Sequence, residues 1–268
     1  MTIARSVRIM GIINVTPDSF SDGGSFFDRG SAFNQARLLI DQGADILDVG
    51  GESTRPYAEQ VSVNEELHRV IPVIESIRSI SDIPISIDTS KAEVARQALA
   101  AGADIINDVT ALRKDPAMID LVKNSTGELI IMHMQGTPGT MQDAPHYDEV
   151  VEEVMTFFRE RLDFIAKAGI DLNRVTIDPG IGFGKKLEHN LQLLNHLERL
   201  AKLGRPVLLG HSRKRFLGDL TGLEADQRDA ITSVVSALSF DKNVSIFRVH
   251  DVAATRQALD VARAIRLA

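Results

Sequence analysis

The chain has 268 residues, of which 44% are hydrophobic and 25% are charged, and this ordinary composition excludes a disordered or fibrous protein. Its net charge of −7 argues against a nucleic-acid surface or an anionic membrane as partner, but a basic pocket for a small anion stays open. The absence of cysteine excludes disulfides, zinc–thiolate sites and cysteine nucleophiles. Because a (β/α)8 barrel takes about 250 residues, we predict one domain over residues 1–268.

Short apolar runs alternate with longer amphipathic segments, which is typical of repeated βα units around a parallel sheet. Eight candidate strands lie near residues 8–13, 45–49, 85–88, 104–107, 128–133, 174–178, 206–210 and 245–249. Helical patterns between them include residues 31–42, 65–79, 91–101, 147–168 and 187–202. The predicted fold class is therefore α/β, a single (β/α)8 TIM barrel with its active site at the carboxyl ends of the strands.

A glycine follows three of the predicted helices, within residues 42–45, 101–104 and 168–171. Glycine just past a helix can adopt the left-handed conformation that ends the last turn. We interpret these glycines as helix stops without a chemical role.

No apolar run approaches the roughly 20 residues that cross a bilayer. The apolar N-terminal residues 9–15 are too short for the core of a signal peptide, and no cleavage site follows them. We therefore expect a cytoplasmic protein with no membrane partner.

Polar side chains that could do chemistry stand at or shortly after the ends of several predicted strands. They are Asn14, Asp88, Asn107, Asp178, Lys214, Arg248 and His250. In a closed barrel the carboxyl ends of parallel strands open on one face, so groups far apart in sequence converge on one cavity. This convergence predicts an enzyme.

Arg248 and His250 are two residues apart in an extended segment and therefore point the same way. A helix is predicted to begin near Asp251 or Val252. A cation, an imidazole and a helix N-terminus in one corner favour a phosphate or diphosphate site. The alternative is that both side chains pair with Asp251 on a solvated rim.

Two long polar loops, residues 14–30 and 50–64, follow the first two strands and are candidate mobile lids. Thr54 and Arg55 in the second loop could hold the same anion. The Asn14 amide oxygen could ligate Mg²⁺ carried by a phosphate substrate, since magnesium prefers hard oxygen ligands and few protein groups. Asn14 could equally be a plain turn residue.

A second group of polar residues comprises Asp88, Asn107, Asp178 and Lys214. Buried charges are costly unless they meet partners, so four such groups in one cavity indicate a polar heterocycle with many donors and acceptors. An aminopyrimidine ring fits this pattern. The alternative is an internal salt-bridge network.

The glycine-rich residues 178–185 do not have the spacing of a P-loop or of a dinucleotide fingerprint, so we do not predict nucleotide binding. Phe183 is instead expected to supply an apolar wall. His133 and His211 lack metal-ligand spacing and are interpreted as structural residues.

Eight separated blocks of this chain resemble the bacterial dihydropteroate synthases, and they follow one another in barrel order. They read MGIINVTPDSFSDGG at 10–24, DVGGESTRP at 48–56, SIDTSK at 86–91, IND at 106–108, MHMQG at 132–136, DPGIGFGK at 178–185, SRK at 212–214 and RVHD at 248–251. One glycine-rich block would be a weak signal, but eight in order are specific.

The resemblance implies condensation of a dihydropterin-CH₂-diphosphate with 4-aminobenzoate, releasing pyrophosphate and forming 7,8-dihydropteroate for folate synthesis. Carried over by position, the pterin residues are Asp88, Asn107, Asp178, Phe183 and Lys214. The diphosphate residues are Asn14, Thr54, Arg55, Arg248 and His250, with Mg²⁺ at Asn14. The aminobenzoate residues are Phe20, Pro56 and Arg215, and the catalytic residues are Asp88, Lys214 and Arg248.

The resemblance also implies an SN1-like step, in which pyrophosphate leaves before the aromatic amine attacks, and a homodimer. Two positions depart from the family pattern, because Tyr57 stands where many relatives have glycine and Arg215 where some have serine. The closest rival is a pterin-binding methyltransferase barrel that passes a methyl group from methyltetrahydrofolate to a corrinoid protein. A catalytically silent pterin-binding barrel is a further alternative.

Overall fold

The computed structural model of the protein describes residues 7–16, 25–54, 59–137 and 139–268. Its strands are β1 Arg8–Asn14, β2 Ile46–Gly50, β3 Ile85–Asp88, β4 Ile105–Asp108, β5 Glu128–Met132, β6 Val175–Asp178, β7 Leu208–Leu209 and β8 Ile246–Val249. Its α-helices are α1 Ser25–Asp41, α2 Val63–Arg78, α3 Ala92–Ala100, α4 Ala117–Asn124, α5 Val150–Lys167, α6 Leu187–Asn195, α7 Leu197–Ala201, α8 Arg215–Thr221, α9 Asp229–Leu238 and α10 Val252–Leu267.

The eight strands form one parallel sheet in the order β6-β5-β4-β3-β2-β1-β8-β7. A single bridge between Ile177 and Val207 brings the two ends of this sheet together, so the predicted barrel is confirmed. Strand β7 is shorter than predicted. Pro206 lacks an N–H group, and its contribution to the ladder is a carbonyl that accepts from Ile177 N at 3.0 Å.

The helices that the sequence predicts are present, and their bounds differ most from the prediction at two places. Helix α1 begins at Ser25, six residues earlier than expected. The predicted helix over residues 187–202 is divided at His196, where φ is −119° and ψ is 27°. The three glycine helix stops are confirmed, because Gly43, Gly102 and Gly169 have φ values of 88°, 109° and 86°.

The barrel interior has an apolar floor beneath a polar upper part. The floor is a cluster of buried side chains from six strands, namely Met10, Ile46, Ile105, Ile130, Leu208 and Ile246. Strand side chains alternate between the two faces, so residues two and four positions after the floor residues also face the interior. These later positions include Asp48, Asn107, Arg248 and His250. The opposite face of the strands packs against the helices in the main apolar core.

In the part of the chain that the structure describes, none of the helices combines the length and apolarity needed to cross a membrane.

Candidate active site

The carboxyl ends of the first four strands place their last polar side chains side by side. In the sheet register Asn14 is the partner of Gly50, Gly50 of Asp88, and Asp88 of Asn107. A Cβ atom on Gly50 would lie 3.4 Å from Asp88 Cβ. A glycine at position 50 therefore leaves room above the sheet for the Asp88 carboxylate and for a ligand next to it.

The same arrangement occurs on the other side of the barrel. Asp178 ends strand β6 and is the register partner of Met132. A Cβ atom on Gly210 would lie 3.3 Å from Asp178 Oδ2. Asp178 Oδ1 accepts a hydrogen bond from Gly180 N at 2.7 Å, and burial raises the pKa of this carboxyl.

Arg248 reaches across the barrel mouth and pairs with two carboxylates. Its Nε donates to Asp48 Oδ2 at 2.5 Å and its Nη2 donates to Asp88 Oδ2 at 2.8 Å. The alternative of a rim pair with Asp251 is wrong, since the Asp251 carboxylate accepts from Ala254 N at 2.9 Å and caps helix α10. Arg248 thus connects the predicted pterin group with the predicted diphosphate group.

Asp48 belongs to this site, although it is not among the site residues that the sequence predicts. It is fully buried in the middle of strand β2, and Asn107 Nδ2 lies 3.4 Å from its Oδ1. A carboxylate is almost never fully buried unless it is paired. An aspartate inside an otherwise apolar strand is therefore a signal of a paired, functional carboxylate, and it lies in the sequence itself, away from the strand ends.

The charges around Asp88 determine its protonation. Burial raises the pKa of Asp88 to about 7, with the Arg248 guanidinium acting in the opposite direction. The carboxylates of Asp48, Glu66 and Asp108 raise this pKa further. Asp88 can therefore be protonated or ionised near neutral pH, and a ligand that donates hydrogen bonds to it would favour the ionised form.

Lys214 precedes helix α8 and points at an aromatic ring. Its Nζ lies 3.8 Å from the centroid of the Phe183 ring, which is a cation–π contact. Burial lowers the pKa of Lys214 to about 7, while Asp178 raises it and Arg248 lowers it. Its Nζ makes no hydrogen bond to any other described residue, so its donors are available to a ligand.

Phe183 is 8% exposed and closes a small apolar cluster at the barrel mouth. The other members of the cluster are Val109, Met132, Met134 and Met141. These side chains form an apolar surface beside the polar groups, as expected for a site that binds a flat ring.

The glycine-rich residues 178–185 are braced from inside by Lys185. The buried Lys185 Nζ lies 3.0 Å from each of His133 Nδ1, Gly180 O and Phe183 O. Gly180 has φ 67°, and a Cβ atom there would lie 1.9 Å from His133 O. The segment is therefore a tightly packed support for Phe183.

His250 is held at the end of strand β8 by Ser212. Ser212 Oγ accepts from the His250 backbone N at 3.1 Å and lies 2.9 Å from the ring Nδ1. In the tautomer in which the Ser212 hydroxyl donates to Nδ1, ring Nε2 carries the hydrogen and is free to donate. Burial lowers the pKa of His250 to about 3, helped by Arg213 and Arg248. The imidazole is therefore a neutral donor.

His211 is a structural residue, as predicted. Its Nε2 lies 3.0 Å from Thr232 O and 3.0 Å from Ser236 Oγ, and the ring is fully buried. It ties the end of strand β7 to helix α9.

The structure places only some of the remaining predicted residues near the site. Asn14 and Thr54 are half-buried at the ends of β1 and of the segment after β2. Arg215 is not brought into the group, because its side chain is 85% exposed and lies 3.6 Å from Asp219 Oδ1 on the surface of α8. Phe20, Arg55 and Pro56 lie outside the described residues.

Asn14 is a weak metal site by itself. Among the described residues no group of three or more His, Asp or Glu side chains could hold a metal ion. The Asn14 amide offers one oxygen, which suits Mg²⁺ only if a ligand or water supplies the other oxygens.

The chain matches the family model of pterin-binding enzymes over residues 10–250. Among curated proteins, the dihydropteroate synthase of Haemophilus influenzae is 46% identical over 254 residues, which is 95% of this chain and 92% of that protein.

Solved structures agree in fold. The Xanthomonas albilineans dihydropteroate synthase with 4-aminobenzoic acid has a TM-score of 0.92 and 51% identity, covering 98% of this chain and 94% of that one. The same bacterium's enzyme with 7,8-dihydropteroate has a TM-score of 0.90 and 48% identity, covering 100% and 96%.

Proposed function

Because the chain belongs to the pterin-binding enzymes, and among them to the dihydropteroate synthases, we propose that it joins a dihydropterin-CH₂-diphosphate to 4-aminobenzoate. The products are 7,8-dihydropteroate and pyrophosphate. The observation that carries this proposal is the convergence of Asp88, Asn107, Asp178 and Lys214 beside the apolar wall of Phe183. These four groups match the donors and acceptors of an aminopyrimidine ring.

In the proposed complex the pterin ring lies between the two carboxylates. Asp88 and Asp178 accept from ring N–H and amine groups, Asn107 makes a further hydrogen bond, and Lys214 donates to a ring nitrogen or carbonyl. Each hydrogen bond to a charged group contributes about 1.5–3 kcal/mol, so several together select the ring strongly.

The diphosphate is proposed to lie at the Arg248 and His250 side of the mouth. His250 supplies a neutral N–H donor, and the N-terminus of α10 adds a favourable dipole. Thr54 and, from the sequence alone, Arg55 complete this subsite. Arg248 also donates to Asp88, so its orientation links the two subsites.

Bond breaking is proposed to precede bond making. Arg248 and the helix dipole stabilise the charge that develops on the departing pyrophosphate, while ionised Asp88 stabilises the positive pterin methylene carbon. The aromatic amine then attacks the cation and loses its proton afterwards, so no strong general base is required. Phe20, Pro56 and Arg215 remain sequence-based candidates for the aminobenzoate subsite.

We also propose Mg²⁺ as a cofactor that arrives with the diphosphate. The Asn14 amide oxygen would be its protein ligand, and the ion would neutralise phosphate charge when bound. Isothermal titration of diphosphate with and without Mg²⁺, using Asn14→Ala as the control variant, tests this assignment.

Release of pyrophosphate on mixing the two substrates tests the proposed reaction. The wild-type protein should release one pyrophosphate per dihydropteroate formed, whereas methyl transfer to a corrinoid protein would release none. Asp88→Asn should keep the fold but lose roughly 100-fold or more in kcat, because it removes a charge that stabilises the transition state. A folded Asp88→Asn variant with near-normal kcat would reject the role of Asp88.

A homodimer is proposed to form through α9 and α10. Helix α9 buries Thr232, Ser233 and Ser236, while Leu238 is 70% exposed. On α10, Ile265 is 74% exposed. Such an apolar surface indicates a protein interface. Sedimentation should give twice the mass of the chain, and Leu238→Asp should shift the protein towards the monomer.

We further propose a cytoplasmic location, because the diphosphate substrate is highly charged and does not cross a lipid bilayer unaided. Cell fractionation with activity measured in each fraction tests this location.

A further inference from the structure

Lys91 lies in a buried group of charges that the proposed reaction does not use. Its Nζ donates to Glu52 Oε2 at 2.6 Å and makes a second ion pair with Glu66. The side chains of Lys91 and Glu52 are each 14% exposed, and that of Glu66 is fully buried. Lys91, Glu52 and Glu66 are called the Lys91 cluster below.

The cluster connects three elements around the candidate site. Glu52 follows strand β2, Glu66 lies on α2, and Lys91 is the N-cap residue of α3, three positions after Asp88. Burial lowers the pKa of Lys91, but its hydrogen bonds to the two carboxylates have the larger combined effect and raise it overall. Lys91 therefore stays charged and paired throughout the physiological pH range.

Glu52 has a second hydrogen-bond partner, through which the cluster also holds the backbone near Thr54. Its Oε1 accepts a hydrogen bond from Val61 N at 3.1 Å. One carboxylate thus ties position 52 to position 61 and both of them to Lys91. Thr54, a candidate diphosphate residue, lies two positions after Glu52 within the segment that this hydrogen bond closes.

The backbone next to Glu52 is also fixed. Arg69 Nη1 donates to Gly51 O at 2.9 Å. A Cβ atom on Gly51 would lie 2.8 Å from Val70 Cγ1, so the chain packs directly on α2. The start of the segment is therefore rigid, and its orientation depends on the hydrogen bonds of Glu52.

We propose that Lys91 and Glu52 are positioning residues, which hold Thr54 in place for the diphosphate of the substrate. This inference rests on the proposed function. The cluster restrains Glu52 and Val61, and with Glu52 the nearby Thr54, before the substrate arrives, so less entropy is lost on binding. Glu66 has a different part, because its carboxylate pairs with Lys91 but accepts no hydrogen bond from Val61.

Glu52→Gln tests this role. Val61 N and Lys91 Nζ donate to different oxygens of Glu52, and glutamine replaces one of these oxygens with an NH2 group that cannot accept. Lys91 keeps Glu66 as a partner. The KM for the dihydropterin-CH₂-diphosphate should rise about tenfold, as expected for one lost hydrogen bond to a charged group. The Kd of a pterin without phosphates should not change, and the Val61 amide should exchange faster with deuterium.

Glu66→Gln is the matched control, since it changes the other carboxylate on the same lysine. It should lower the Tm but leave the KM for the diphosphate substrate within about twofold of the wild type. A purely structural cluster would instead give equal effects for both variants on KM and on Tm.

The outcomes separate this inference from the proposed function. If the wild type releases no pyrophosphate, the function itself is wrong. If the wild type is active and Glu52→Gln has an unchanged KM and unchanged Val61 exchange, the positioning role is overturned. A Glu52→Gln protein that does not fold would also overturn it, because a positioning role predicts an intact barrel.

Discussion

Two lysines next to the barrel mouth, Lys185 buried and Lys214 half-buried, have similarly lowered pKa values but different partners. Burial lowers the pKa of Lys185 and of Lys214 to about 7 in each case. Lys185 Nζ is surrounded by His133 Nδ1 and two carbonyl oxygens, each at 3.0 Å. Lys214 Nζ instead lies over the Phe183 ring, without a hydrogen bond to another described residue.

This difference separates a cation that supports the fold from one that is open to a ligand. A shifted pKa alone would assign both lysines to the active site, since perturbed values are common at functional sites and in structural networks alike. The hydrogen-bond partners make the distinction. Lys185 fixes the glycine-rich segment that carries Phe183, whereas Lys214 presents unused donors to the cavity.

Of the two lysine variants, Lys214→Met should have the larger effect on activity. The loss of a charged donor to the pterin should lower kcat/KM about 100-fold, which corresponds to about 3 kcal/mol. The free energy of unfolding should stay the same or increase, because a costly buried charge is removed without breaking a hydrogen bond. Steady-state kinetics and urea unfolding measure the two quantities, and near-normal kcat/KM would remove the distinction between the lysines.

Lys185→Met should have the opposite profile. Three buried acceptors lose their donor, so the free energy of unfolding should fall by about 3 kcal/mol in urea titrations. The neighbouring Lys186 is exposed, and Lys186→Met is the matched control with an expected change within about 0.5 kcal/mol. Equal stabilities of the two variants would show that Lys185 does not brace the segment.

A further prediction concerns the pH dependence of stability. Both lysines have folded pKa values near 7, below the ordinary 10.5, so the unfolded chain binds more protons between these values. The free energy of unfolding should therefore rise from about pH 7 to about pH 10, and each methionine variant should remove part of this rise. For Asp88, raised from 3.8 to about 7, the sign is reversed, and stability should fall across that interval.

Asp88→Asn should accordingly flatten the fall between about pH 4 and pH 7, while leaving the rise above pH 7 in place. Urea unfolding of the same proteins at several pH values across both intervals measures the fall in stability below pH 7 and the rise above it. A wild-type stability that is constant over the whole range would contradict the burial of all three charges.

The sequence predicted that the polar residues meet at the carboxyl ends of the strands. The apolar periodicity locates each strand, and the polar residues stand where the strands end. The sequence also predicted the helix stops at Gly43, Gly102 and Gly169 from local backbone chemistry. The short β7 was less predictable, since the ladder after Pro206 depends on which carbonyl and N–H groups its neighbours offer.

Local sequence patterns could not predict which side chains pair across the barrel. Asp48 was missed because its importance comes from Arg248, 200 positions away along the chain. The pairing of Lys91 with Glu52 and Glu66 likewise joins two successive βα units, β2–α2 and β3–α3. The sequence shows Lys185 only as part of a glycine-rich stretch. Its carbonyl partners come close to Nζ only in the folded conformation of that stretch.

The apolar floor of the barrel has a consequence for proton exchange. Met10, Ile46, Ile105 and the three other floor residues separate the charged groups from the opposite end of the molecule. The side chains of Asp88, Asp178 and Lys214 therefore meet water at the mouth. A substrate that covers the mouth replaces this water as their hydrogen-bond partner, so the protonation of the three groups in the complex is set by the substrate and by one another.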